Sequence, residues 1–143
     1  MTGTQNHEGI AGVAAAVDYL NDLGEGDLRR GMESIRAYEQ VLAQRLLDGL
    51  TQRPRFKVWG ITDPRRLNER VPTVSFTMAN RSPADIARHL AARQIYTWNG
   101  NMYARELSLR LGVEERGGFL RVGLVHYNTA DEIDRLLQAL DEL

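Results

Sequence analysis

Apolar residues recur at helical spacing along the first third of the chain. Over HEGIAGVAAAVDYLNDLG, the residues Ile10, Val13, Ala14, Val17, Tyr19 and Leu20 make a helix from about 7 to 23 that is apolar over much of its circumference, with Gly24 as its stop. The segment is rich in small residues, which let helices approach closely, so it reads as a piece that packs against something large. Leu28, Met32, Ile35, Tyr38, Leu42, Leu46 and Leu50 then fall at spacings of three and four and predict an amphipathic helix over about 27 to 52. At about 1.5 Å per residue it spans roughly 40 Å, long for a small domain and suited to bridging two bodies.

After Pro54 the texture changes to short β-rich runs alternating with helices. FKVWG and VPTVSFTM read as strands joined by the charged connection Arg65 to Arg70. Ser82-Pro83-Ala84-Asp85 supplies a cap, a proline at the first helical position and an acid in the first turn, opening a helix to about 93 with Ile86 and Leu90 inward. IYTW reads as a third strand, MYARELSLRLG as a short helix ended by Gly112, Gly117-Gly118 as a turn and FLRVGLV as a fourth strand. Thr129 with Glu132 forms a capping box for a last helix whose buried face is Ile133, Leu136, Leu137 and Leu140. The order β-β-α-β-α-β-α predicts an α+β fold: a small mixed or mainly antiparallel sheet of about four strands covered by helices on one face, preceded by a long bridging helix.

Composition narrows the function more than the fold. The 143 residues, 43% hydrophobic, suffice for a single core. With 18 basic and 19 acidic residues the net charge is −1, which predicts no general attraction to nucleic acid or to an anionic membrane. No apolar run approaches the roughly 18 residues of a membrane span, and no signal pattern opens the chain, so a cytoplasmic protein is expected. The absence of cysteine excludes disulfides, thiolate metal sites and a cysteine nucleophile. Every basic residue is arginine except Lys57, and an arginine forks onto carboxylates and phosphates but forms no Schiff base. Met1 leads straight into TGTQNHEGIAG, as though the chain started midway through a larger unit.

Few residues suggest chemistry on their own. In an extended FLRVGLV, Leu120, Val122 and Leu124 share one face while Phe119, Arg121, Gly123 and Val125 share the other. Arg121 reads either as an ordinary arginine, on a half-exposed face or paired with a carboxylate of a neighbouring helix, or as a fork at a cleft wall that binds a carboxylate through two parallel hydrogen bonds, with Gly123 leaving room for the ligand. His126, Tyr127 and Asn128 follow at the strand end, where Asn128 and Thr129 also suit a plain turn and cap. The tryptophan and tyrosines around position 98 suit stacking on a flat ligand, although aromatics beside strands more commonly belong to the core. Gly3-Thr4 ahead of an apolar helix fits a phosphate contact or a simple helix-entry turn. His7-Glu8 lacks the second histidine of a metal motif, so no metal site is expected.

Taken in order, TGTQNHEGIAGVAAAVDYL, RVPTVSFTM, the glycine loop after IYTW and GFLRVGLVHYNTADEIDRLLQAL, the chain resembles the C-terminal part of the class V aminotransferase and cysteine desulfurase family over nearly its whole length. The resemblance implies a fold-type I, pyridoxal 5'-phosphate-dependent homodimer acting on an amino acid. It implies that Thr4, next to Gly3, contacts the cofactor phosphate of the neighbouring subunit and that Arg121 binds the substrate's α-carboxylate. Residues 1–53 would then be the end of the large cofactor domain plus the bridging helix, and 54–143 the small domain that closes over the substrate. Asn128 and Tyr103 are second-tier candidates for lining the cleft.

Two departures qualify what the resemblance implies. The family's Schiff-base lysine lies upstream, in an N-terminal large domain this chain does not contain; Lys57, in the first strand, reads as a surface lysine. The chain alone is therefore expected to be inactive and not to retain the cofactor. In Asn99-Gly100-Asn101-Met102-Tyr103-Ala104, Tyr103 stands where the desulfurases carry the sulfur-accepting cysteine, and a phenol with a pKa near ~10 forms no persulfide. Transamination, a lyase reaction or epimerisation stay open as outcomes. The competing expectation is a stand-alone, non-catalytic ligand-binding or dimerisation module with the same small-domain fold.

Overall fold

A computed structural model describes residues 3–143, which divide into two compact units, one up to Tyr38 and the other Glu39–Leu143. In the first unit, α1 (His7–Asp22) starts at an Asn6 cap whose side chain accepts from the backbone N–H of Gly9, and it buries none of its side chains. The helix α2 (Leu28–Thr51) begins here, where Gly31 passes so close to Leu20 that an added Cβ would stand 2.1 Å from the Leu20 carbonyl oxygen. The close approach is made by Gly31 of α2, whereas the small residues of α1 remain exposed. The apolar stripe of α2 is not uniformly covered: Leu28, Met32 and Tyr38 are exposed, whereas Leu42, Leu46, Leu47 and Leu50 are buried in the second unit. Among the described residues no helix is long and apolar enough to cross a membrane.

The second unit is an α+β layer. Its sheet comprises β1 (Phe56–Trp59), β2 (Thr73–Met78), β3 (Trp98–Gly100) and β4 (Phe119–Gly123) in the order β1-β2-β4-β3, and every pair is antiparallel. One face carries Val74, Phe76, Met78, Leu120 and Val122 into a core shared with α2, with α3 (Pro83–Ala91) through Ile86 and Leu90, and with α5 (Ala130–Asp141) through Ile133, Leu136, Leu137 and Leu140. Phe76 is fully buried and meets the ring of Phe56 edge-on at 5.5 Å. The caps follow their local chemistry: the Ser82 hydroxyl accepts from the Asp85 N–H, and the Thr129–Glu132 capping box is closed in both directions.

Arginine–carboxylate contacts join α2 and the turn that follows it to α5. Arg45 grips both oxygens of Asp134 at 2.7 and 2.6 Å, and Arg53 grips both oxygens of Asp141 at 2.7 and 2.5 Å while Arg55 donates to the same carboxylate at 2.9 Å. Hydrogen bonding from Arg53 is the main cause that holds the Asp141 carboxyl below its ordinary range.

Two expectations change. The third strand is not IYTW but Trp98–Gly100, a three-residue edge strand that retains only the tryptophan of the expected run. Ile95, Tyr96 and Thr97 form the approach to it, because a hydrogen bond from the Ile95 N–H to the Leu90 carbonyl still ties that stretch to the end of α3. The charged connection between β1 and β2 is itself a turn of 3-10 helix, Pro64–Glu69, capped by Asp63.

Candidate functional site

The sheet's second face carries polar and aromatic side chains and is open around Arg121, and the register fixes what stands on it. Directly opposite residues share a face, so Trp59 on β1, Ser75 on β2, Arg121 on β4 and Trp98 on β3 form one row across all four strands. Neighbouring strands are spaced by about 4.8 Å, so Arg121 has a small hydroxyl on one side and an indole on the other. Along its own strand it lies between Phe119, whose ring packs edge-on against Trp59 at 5.7 Å, and Gly123.

Lys57, Thr73, Thr77 and Gly100 complete this face by alternation, so none of its strand residues is a carboxylate. Arg121 is accordingly exposed, and its guanidinium makes no ion pair or hydrogen bond to protein among the described residues. Arg45, Arg53, Arg65 and Arg66 are by contrast each forked onto an acid, so of the two ordinary readings Arg121 follows the exposed arginine and not the ion-paired one.

Around Arg121 lies an open hollow of ≈ 450 Å³ lined also by Thr73, Tyr96, Thr97, Trp98 and Gly123. Thr73 is placed by the Arg70 guanidinium, which donates to its carbonyl at 2.7 Å and also to the carbonyl of Ile61. Trp98 is 61% exposed and Tyr96 81%, so these aromatics are not core residues, contrary to the commoner expectation for rings beside strands. They stay outside because β3 is an edge strand whose inner neighbour presents Arg121, not an apolar side chain. The Thr97 hydroxyl is buried without a hydrogen-bond partner among the described residues. Thr73 lies inside the RVPTVSFTM stretch but is not singled out there; the strand register and the hollow it lines bring it beside Arg121.

The other sequence candidates fall into three places. Asn128 lines a neighbouring hollow of ≈ 240 Å³ that shares Tyr96, Thr97 and Gly123, and both ends of its amide are engaged: Oδ1 accepts from the Val125 N–H at 2.9 Å and Nδ2 donates to Glu132 at 3.1 Å. The Thr129 N–H and then the Asn128 amide hold the Glu132 carboxyl below its usual range. Tyr103 is fully exposed at φ 62°, next to Met102 at φ 55°, in a turn where its N–H donates to Asn101 Oδ1 and the Asn101 amide donates to Glu114. It precedes α4 (Arg105–Arg110) and does not line the hollow of Arg121. Gly3, at φ 97°, and Thr4 belong to the first unit, exposed and ahead of the Asn6 cap. His126, which the sequence left without a role, stands 3.8 Å from Glu39 and meets the Tyr127 ring edge-on at 5.4 Å.

Comparison with known proteins decides the family. The family pattern for aminotransferase class-V matches residues 1–136. The chain belongs to that family. A cysteine desulfurase of Serratia proteamaculans is 32% identical over 141 residues, covering 99% of this chain and 31% of that protein. An aminotransferase-like protein of Gibberella zeae, FGM3, is 34% identical over 111 residues, 76% of this chain and 27% of that one. Among solved structures, the apo cysteine desulfurase from Thermococcus onnurineus NA1 superposes with a TM-score of 0.85 at 27% identity, over 99% of this chain and 32% of its own. The class-V chain thus spans about a third of the length of the relatives it matches.

Pyridoxal phosphate, the cofactor this family uses, needs a lysine for its aldehyde and a partner for its pyridine nitrogen. The sole lysine, Lys57, is exposed on β1 with its ammonium 3.8 Å from the centre of the Trp59 ring, and the hollow beside Arg121 is lined by neither a lysine nor a carboxylate. The lining of this hollow therefore does not by itself fit the cofactor.

Proposed function

We propose that the chain acts as the C-terminal part of a pyridoxal-phosphate-dependent class-V enzyme and that Arg121 clamps the α-carboxylate of its amino-acid substrate. The observation that carries this reading is a guanidinium without a protein partner among the described residues, in the middle of a sheet face that holds no strand carboxylate, beside a hollow. A planar fork in that position binds a carboxylate by two charge-assisted hydrogen bonds and leaves no competing internal acid to displace. Residues 54–143 then form the substrate-closing domain, and 1–53 the end of the cofactor domain with the bridging helix. In the homodimer this reading calls for, Gly3 and Thr4 contact the cofactor phosphate of the neighbouring subunit, while Asn128 and Tyr103 are outlying wall residues. The cofactor, when bound, supplies an electron sink, and its lysine comes from outside these residues, so the chain alone is expected to be inactive.

The test uses the chain itself. Titration of the ¹⁵N-labelled protein with alanine and acetate should shift the Arg121 side-chain N–H signal. Arg121→Ala should lose about 1.5–3 kcal/mol of that binding, roughly 10- to 150-fold, and Arg121→Lys, which keeps the charge without the fork, should recover only part of it. Undiminished carboxylate binding by Arg121→Ala refutes the clamp. A second reading, a non-catalytic ligand-binding or dimerisation module, draws on α1, which leaves Ile10, Val13, Val17 and Tyr19 exposed. A stable aldimine absorbance formed at Lys57 on adding pyridoxal phosphate would displace the first reading.

A further inference from the structure

The wall beside Arg121 is made of flat rings and uncharged groups. Trp98 is its directly paired neighbour on β3, Tyr96 precedes it on the approach to that strand, and Thr73, Thr97 and Gly123 complete the lining. Arg121 is the only charged side chain among them at neutral pH. An indole and a phenol left largely in water, one strand spacing from an unsatisfied fork, expose apolar area that a ligand would cover. A Cβ added at Gly123 would meet nothing within 4 Å, so the strand end beside the fork is open. The hollow, ≈ 450 Å³, falls within the ~300–1,000 Å³ usual for small-molecule sites.

We infer that this hollow selects amino acids whose side chain is a flat, uncharged ring, stacked against Trp98 and Tyr96 while Arg121 holds the carboxylate. The inference rests on the reading of Arg121 given above. It also says what the site discriminates against. A second carboxylate on the ligand finds no second cation in the lining, and a side-chain ammonium finds no acid, so neither gains a partner that water does not already supply. The two rings act as positioning residues for the ligand's side chain, and the arginine fixes its head.

The chain holds two tryptophans, Trp59 and Trp98, so their indole N–H signals are assigned by one substitution. Followed by that signal in the unsubstituted chain and by the backbone N–H signals around the hollow in every variant, phenylalanine should bind about two- to tenfold more tightly than alanine, the range for one stacked ring pair, and glutamate and lysine no better than alanine. Trp98→Ala should bring the phenylalanine-to-alanine ratio to about one, Trp98→Phe should retain it, and Tyr96→Ala should reduce it. Equal affinities in the unsubstituted chain, or a ratio that survives both Trp98→Ala and Tyr96→Ala, overturn the inference and leave the clamp standing if Arg121→Ala still abolishes binding. Full binding of both ligands by Arg121→Ala overturns the clamp instead, and no binding of any carboxylate overturns both.

Discussion

Gly118 offers the sharpest test of how the fold holds the site together. It precedes β4 at φ 80°, and a Cβ built on it would lie 2.3 Å from the carbonyl oxygen of Gly100 and 2.9 Å from the backbone nitrogen of Asn101. Neither obstacle can swing aside, because both are backbone. Gly118→Ala must therefore place an L-residue in the left-handed region, at about 1–2 kcal/mol, and also push β3 off β4, straining the pairing of Gly100 with Phe119 at about 0.5–1.5 kcal/mol per hydrogen bond. Together the cost is ~1.5–3.5 kcal/mol, a large share of the ~5–15 kcal/mol a domain commands. Gly117 is an internal control: its φ is 88°, yet a Cβ there meets only Pro83 at an ordinary 3.7 Å, so Gly117→Ala should cost the backbone term alone. Urea denaturation of the two variants measures the difference, and ligand titration reads whether Trp98 has left its place opposite Arg121. Equal stability of the two variants would show that the Gly100 contact does not constrain the strand pair.

Two further outcomes follow from the helix ends. Asp141 binds its proton less readily in the folded state, chiefly because Arg53 hydrogen-bonds it, so the unfolded chain takes up more protons as the pH falls; this stabilisation is complete above the ordinary aspartate value near ~3.9 and is lost as the pH falls through the lower folded value. The unfolding midpoint of Asp141→Asn should thus lose less between about pH 5 and pH 2 than that of the unsubstituted chain, and identical acid limbs in the two proteins would refute the assignment. Thr129→Ala opens the capping box of α5 and should cost about 1 kcal/mol by the same denaturation assay, with no loss counting against the cap.

What the sequence made legible was local or periodic. The caps at Ser82 and Thr129 are short-range chemistry, and the inward residues of α3 and α5 follow from spacing, so both stood as expected. A stripe gives a face without its cover, however, and α2 presents Leu28 and Met32 to solvent on the same stripe that buries Leu46 and Leu50. The face of Arg121 was readable from alternation along FLRVGLV. That the face carries no strand carboxylate was not readable, because the strand order puts β4 beside β2 and β3, and register between distant strands is not written in any one of them. For the same reason Trp98 looked like core: hydrophobicity cannot say that its strand is three residues long and lies at an edge.

The strand order also sets a sequence of events. β3 pairs with β4 alone, and β4 lies about 20 residues further along the chain. As the chain emerges during synthesis, the segment bearing Trp98 has no edge to join until Phe119–Gly123 has followed it and docked beside β2. Local opening must run the other way, since any fluctuation that frees β4 frees β3 with it, whereas β3 can detach and leave the rest of the sheet paired. The arginine is thus anchored on both sides, and the aromatic wall that faces it hangs on its strand as a hinged leaf, last in place and first to leave.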